Sequence, residues 1–242
     1  MWEVGLPVFP SLPEASDQRL PLSADGAAMG KPIRCLHLAR RVCYYKPYYI
    51  NSMSAPGSLL VAQTLVPAQM PVFTCSLTPQ KEALLLARQA IDELRAADPK
   101  PMESNVRSVY VSPWDSHQKN PKFGPICDIV LQVARTASRS FLIANFDALN
   151  VDYFVKDCWG MIYEEADYTL KHNHYPSDLS CALYLEADEN CAPIVFDGGL
   201  QVQPQNDLLV LFPGILNHEV PKTPGRRVVV SMNIFKTLGL VR

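Results

Sequence analysis

The chain has 242 residues, 48% hydrophobic and 19% charged, with a formal net charge of −2. This composition excludes a disordered chain and whole-protein attraction to nucleic acid, and no run reaches the ~18–20 uncharged apolar residues of a bilayer span. The length allows one large domain with an extension. Seven cysteines (Cys35, Cys43, Cys75, Cys127, Cys158, Cys181, Cys191) are widely spaced and form no C-x-x-C pair, which excludes a zinc ribbon or a redox dithiol. They read as buried thiols of a reducing compartment, with a cytoplasmic location expected.

Residues 1–70 form an irregular, Pro-rich, basic extension. Ten of the 21 prolines lie in the first 79 residues, and Gly26–Gln80 contains no Asp or Glu while carrying Lys31, Arg34, Arg40, Arg41 and Lys46. Three readings fit: a surface arm with a basic face, an organellar transit sequence, or an over-long start with initiation at Met53 or Met70. The arm is favoured, with Tyr44, Tyr45, Tyr48 and Tyr49 packing it onto a domain rather than stacking on bases.

Residues 71–242 read as a single domain with helical support over 77–141 and a β core over 150–236. Thr78 followed by Pro79 predicts a helix start with a capping hydroxyl. Leu84, Leu85, Ala87, Ala90, Ile91 and Leu94 then recur at helical spacing until Asp98–Pro99. Alternation from Val106 to Ser112 predicts a short strand, and Ile129, Val130, Val133 and Ala134 a helix from about Ile126 to Ser140. Beyond Asn145, strands are predicted at Asp152–Val155, Trp159–Tyr163, Tyr168–His174, Ser180–Glu186, Ile194–Phe196, Leu208–Phe212 and Arg227–Phe235, punctuated by Gly198–Gly199, Pro204, Pro213–Gly214 and Pro224–Gly225. Two helices followed by seven or eight strands point to an α+β fold, a jelly roll with helices buttressing one sheet.

Three of the five histidines fall in this β region. His172 and His174, two apart, project from one face of a strand, and His218 follows a buried strand and a turn. Together they offer a three-point face for a divalent metal. Downstream, period two places Arg227, Val229, Ser231 and Asn233 on one strand face and Val228, Val230 and Met232 on the other. An Arg buried inside a β cavity needs a counter-anion, and its planar fork beside a hydroxyl suits a carboxylate ligand. A partner Asp or Glu would serve it equally well.

The ordered combination of His172-Asn-His174-Tyr-Pro176, Ser180-Cys-Ala-Leu-Tyr184-Leu, Leu211-Phe-Pro-Gly-Ile-Leu-Asn-His218-Glu-Val and Arg227-Val-Val-Val-Ser-Met-Asn233 resembles the 2-oxoglutarate/Fe(II)-dependent oxygenase superfamily. The closest likeness is to a subgroup carrying an H-x-H-P element, with Trp159 where that subgroup has a tryptophan. The likeness covers Trp159–Phe235 well, Leu77–Asn150 loosely, and residues 1–70 not at all. It implies a double-stranded β-helix, Fe(II) as cofactor, 2-oxoglutarate as cosubstrate, and hydroxylation of a small-molecule or protein side-chain substrate with release of succinate and CO2. Under it His172 and His218 would hold iron, Arg227 would bind the distal carboxylate of 2-oxoglutarate, and Ser231 would assist. Tyr168 and Tyr184 are candidates for hydrogen bonds to cosubstrate or substrate, and Leu183, Phe196 and Phe212 for the cavity wall.

The chain departs from the superfamily's usual pattern, which has a carboxylate two residues after the first His. His174 stands there and is the natural third ligand, with Asp178 as the alternative. A cupin-type metalloenzyme (dioxygenase or isomerase) using Asp178 as a fourth ligand without 2-oxoglutarate is a rival reading, and a non-catalytic β-sandwich interaction protein is another. No nucleic-acid or membrane partner is expected; substrate and oligomeric state stay open.

Overall fold

A computed structural model of the protein describes residues 48–49, 62–63, 69–141 and 151–238. The chain divides into two units, Met1–Leu65 and Val66–Arg242. In the first, β1 (Tyr48–Tyr49) pairs antiparallel with β2 (Ala62–Gln63), a strand whose last residues precede the unit boundary. The readings of the basic arm, of a transit sequence and of the alternative starts otherwise lie outside the described residues.

The second unit opens with β3 (Phe73–Ser76) and a 3-10 turn, Thr78–Gln80. The expected capping hydroxyl is absent from that turn: Thr78 Oγ1 pairs with Ser76 Oγ at 3.0 Å, and α1 begins only at Lys81. α1 (Lys81–Ala97) buries Ala83, Leu84, Ala87, Ala90 and Ile91, one stripe of a 3.6-residue period. It ends where Pro99 forces Asp98 into extended backbone, whose N–H still closes the last turn on Leu94 O at 2.9 Å.

The single strand expected over 106–112 is two short ones: β4 (Val106–Arg107) and β5 (Tyr110–Val111) belong to different sheets. A short helix that the sequence did not announce, α2 (Ser116–Lys119), precedes α3 (Gly124–Phe141). α3 buries Ile126, Cys127, Val130, Ala134 and Ala137.

Over residues 151–238 the regular elements are all strands. β6 (Val151–Tyr163) runs through the two segments expected separately, and is followed by β7 (Tyr168–His172), β8 (Leu179–Ala187), β9 (Ile194–Phe196), β10 (Gln201–Val202), β11 (Leu208–Pro213), β12 (His218–Val220) and β13 (Arg227–Leu238). They form two antiparallel sheets, in the orders β3-β11-β8-β13-β6-β5 and β10-β9-β12-β7-β4. From β6 onward the chain passes back and forth between the sheets.

Residue parity divides the six-stranded sheet into two faces. Val228, Val230, Met232, Leu209, Leu211, Cys181 and Leu183 share a core with α1 and α3. Val229, Tyr184, Ala182, Val210, Phe212, Trp159 and Met161 share a second core with Ile194, Phe196 and Val220 of the five-stranded sheet. This second unit is therefore layered as helices, large sheet, small sheet, with mostly antiparallel sheet and few helices. Leu183, expected in the cavity wall, belongs to the helix-facing core because parity turns it away from Tyr184.

Gly160 of β6 lies where a Cβ would overlap the Ile91 side chain of α1. Its N–H donates to Ser112 Oγ at 2.8 Å and its carbonyl accepts from Ser112 N–H at 2.9 Å, so the strand cannot withdraw from the helix without breaking bonds. Gly160→Ala is expected to destabilise the domain by roughly 1–3 kcal/mol through overpacking, read as a lower urea midpoint with an unchanged slope.

Candidate metal and cosubstrate centre

Between the sheets lies a cavity of about 650 Å³, lined on one side by odd-numbered residues of β13 and on the other by β7 and β12. His218 opens β12 and sits opposite His172, the last residue of β7, across the ladder; Phe196 of β9 is its neighbour on the other side. His174 lies just past the end of β7 rather than on it. Its N–H donates to Gly214 O at 2.7 Å, and its own carbonyl accepts from Ser177 N–H at 2.9 Å, which fixes the turn. The three ligand nitrogens all lie within 4.8 Å of one another. Ring centroids are 4.4 Å apart for His172 and His218, 4.9 Å for His172 and His174, and 5.1 Å for His174 and His218.

The donor chemistry of this cluster suits a divalent metal. His172 Nδ1–H donates to Leu170 O at 2.8 Å and His218 Nδ1–H to Leu216 O at 3.1 Å. These bonds set the tautomer and leave Nε2 of both rings free as a ligand atom. Burial, reinforced by the mutual repulsion of three would-be cations, holds the His174 pKa down to about 3; burial and the proximity of His172 hold His218 down to about 4. Burial also lowers His172. All three are therefore neutral at pH 7, the state a metal requires. Asp178, the alternative carboxylate, is outside the cluster: it accepts from Lys236 N–H at 2.7 Å and pairs with Lys236 Nζ at 2.8 Å, so the chain after Pro176 carries it to the β13 edge. The same placement removes the fourth ligand of the cupin pattern.

Arg227 is 1% exposed, on the cavity face of β13 as its period required. Nη1 donates to Ala192 O at 3.0 Å and the guanidinium lies 4.2 Å over the Tyr163 ring, yet Nε has no partner and no carboxylate among the described residues pairs with it. A buried guanidinium left so is costly and calls for an anionic ligand. Tyr184 and Ser231 line the same cavity, and neither hydroxyl has a hydrogen-bond partner among the described residues. Burial, partly opposed by Arg227, pushes the Tyr184 pKa up to about 12, so it stays a neutral donor.

Tyr168 is a correction. The β7–β12 ladder pairs His172 with His218 but Thr169 with Val220, so two residues of β7 oppose Glu219 alone. That bulge reverses parity, turning Thr169 into the cavity with His172 and Tyr168 out of it. Tyr163 lines the cavity, its hydroxyl 2.7 Å from Thr169 Oγ1. Sequence reading also missed a network joining the two ligand-bearing segments. Asn173 Nδ2 donates to Asn217 Oδ1 at 2.9 Å, Asn217 Nδ2 donates to Asp197 Oδ2 at 2.8 Å, and Asp197 pairs with Lys171. The adjacency of Asn173 and Asn217 to the histidines was the available signal. Phe212 and Phe196, expected in the cavity wall, stand 4.7 and 5.7 Å from the His218 ring but do not line the cavity; they are buried in the core between the sheets.

No protein-family model matches the chain, and no curated protein matches it in sequence. Solved structures do. SnoK, a non-haem α-ketoglutarate-dependent carbocyclase from nogalamycin biosynthesis, is similar at TM-score 0.51 and 12% identity, over 71% of this chain and 84% of that one. An oxidoreductase of the 2OG-Fe(II) oxygenase family from Burkholderia pseudomallei gives 0.49 and 16%, over 69% and 86%. A prolyl-4-hydroxylase from Pseudomonas putida gives 0.46 and 17%, over 69% and 92%. At these identities the likeness is one of fold. The chain thus shares its fold with SnoK and carries a histidine triad in the lining of its cavity.

Gly214 holds the His174 turn by close approach, since a Cβ there would overlap the carbonyl and hydroxyl of Ser177. Gly214→Ala is expected to displace that turn and weaken divalent-metal affinity by about tenfold or more, the scale seen when groups that orient metal ligands are lost. Titration with Zn(II) or anaerobic Fe(II), beside an unchanged far-ultraviolet circular dichroism spectrum, checks this.

Proposed function

We propose that this chain is an Fe(II)- and 2-oxoglutarate-dependent dioxygenase that hydroxylates its substrate, releasing succinate and CO2, on a double-stranded β-helix. The strand sequence β6 to β13, alternating between two antiparallel sheets, supports that jelly-roll reading. The observation that carries the function is the pairing, in one cavity, of three neutral imidazoles with a buried Arg227 that has no acidic partner among the described residues.

His172, His174 and His218 would hold the metal. Three neutral donors would neutralise none of a divalent ion's charge, so an anionic cosubstrate would suit the site. Iron, when bound with 2-oxoglutarate, supplies the oxidative chemistry. The chain's own residues do the rest. Arg227 binds the distal carboxylate and Tyr163 braces the guanidinium from one face. Tyr184 and Ser231 offer hydroxyls to the cosubstrate, and Ala182, Ile194, Val220 and Val229 keep the inner wall apolar and exclude water.

His172→Ala and His218→Ala are each expected to abolish stoichiometric Fe(II) binding. Arg227→Ala should retain iron and raise the KM for 2-oxoglutarate by about a hundredfold or more, as for loss of one partner of a buried charge pair. Anaerobic metal analysis and succinate release measure both. Full turnover by Arg227→Ala would refute the cosubstrate assignment.

A further inference from the structure

The mouth of the cavity is shaped by a second bulge. Along the β13–β6 ladder Asn233 pairs with Asp157 and Ile234 with Val155, leaving Lys156 unpaired. On the inner side of this bulge the odd residues Trp159, Met161 and Tyr163 face the cavity; on the outer side parity reverses, and Tyr153 turns to the helix-facing core. Phe154 and Lys156 are thereby aimed into the cavity, although a straight strand would point them at the helices. Phe154 stacks on Phe235 at 6.1 Å and 29°, and Lys156 Nζ lies 6.0 Å over the Phe235 ring. From the other side Trp114, half exposed, leads to Trp159 at 6.2 Å and thence to the ring of His174 at 5.8 Å. Aromatic surface therefore runs from the rim to a metal-binding histidine.

The charges of the lining are Lys156, Asp157 and Arg227. Asp157 accepts from Asn233 Nδ2 at 3.0 Å, whereas Lys156 has no carboxylate partner among the described residues. Lys156 and Arg227, which pairs with Tyr163 in the ladder, stand seven residues apart along β6, roughly 20 Å at the usual strand rise. The cavity therefore carries two cationic side chains rooted well apart along the strand.

We infer that the bulge at Lys156 builds a substrate subsite for a small aromatic carboxylate, its ring held among Phe154, Phe235 and Trp114 and its carboxylate paired with Lys156. This rests on the oxygenase reading for its catalytic meaning, and names the substrate class of the same cavity. A bare apolar mouth would accept any hydrophobic molecule; the unpaired ammonium over an aromatic floor selects an anionic one. The cavity volume of about 650 Å³ lies within the range of pockets that hold a drug-sized ligand, which leaves space beside a short dicarboxylate.

The test is calorimetric titration of the full chain with 2-naphthoate, 2-naphthamide as the neutral isostere, and separately 2-oxoglutarate with Zn(II) present. Wild type is expected to bind the carboxylate about tenfold more tightly than the amide, as for a hydrogen bond to a charged group. Lys156→Met should bring naphthoate to the amide's affinity, Lys156→Arg should keep the preference, and Phe154→Ala should weaken both probes several-fold. Equal affinity for the two probes, no saturable binding, or a preference untouched by Lys156→Met overturns the subsite. Naphthoate bound through Arg227 instead would give that last result. Failure of 2-oxoglutarate alone to bind counts against the cosubstrate assignment and leaves the naphthoate comparison decisive for the mouth.

Discussion

The cross-strand pairing of His218 with His172 is the contact on which the candidate centre depends. Antiparallel neighbours bring Cβ atoms to within about 5 Å, so one ladder position places two imidazoles side by side without any side-chain search. The third ring arrives from the turn after β7, pinned by its backbone bond to Gly214. Burying three imidazoles together is unfavourable to their protonation and favourable to a shared cation. The same arrangement thus keeps the imidazole nitrogens free of protons at neutral pH, the state in which they can hold a metal.

Around that contact the two sheets divide labour. The helix-facing side of the large sheet is a close-packed apolar layer, with Val228, Val230 and Met232 fully buried against α1 and α3. The opposite side carries Arg227, Ser231 and Tyr184, which share the cavity with the histidines at the ends of β7 and β12 of the small sheet. A cavity with a buried, unpaired guanidinium is a destabilising feature that such a well-packed layer offsets, and placing functional polar groups on a rigid strand keeps them in register.

Two bulges redirect side chains toward the same cavity. One, in β7, turns Thr169 rather than Tyr168 into the cavity; the other, at Lys156, turns the outer end of β6 inward. Each adds one residue to one strand and reverses parity beyond it, so small local irregularities decide what the inner and outer ends of the cavity present. The inner end presents a guanidinium and hydroxyls, the outer end an ammonium among aromatic rings.

The amino-acid order by itself determined whatever depends on a repeating period or a fixed local signal. It set most of the stripes of both long helices (Leu85, expected in the first, is exposed), the stop at Asp98–Pro99, the two faces of the strand from Arg227, and the candidate ligands His172, His174 and His218. Tertiary structure decided what depends on pairing between distant segments. The division of 106–111 between two sheets, the parity reversals at β7 and Lys156, the capture of Asp178 by Lys236, and the turning of Thr169 rather than Tyr168 into the cavity all follow from which strand lies opposite. A period-two pattern states which residues share a face only while the ladder stays regular, and a one-residue shift in a partner strand leaves no mark in the bulged segment's own composition.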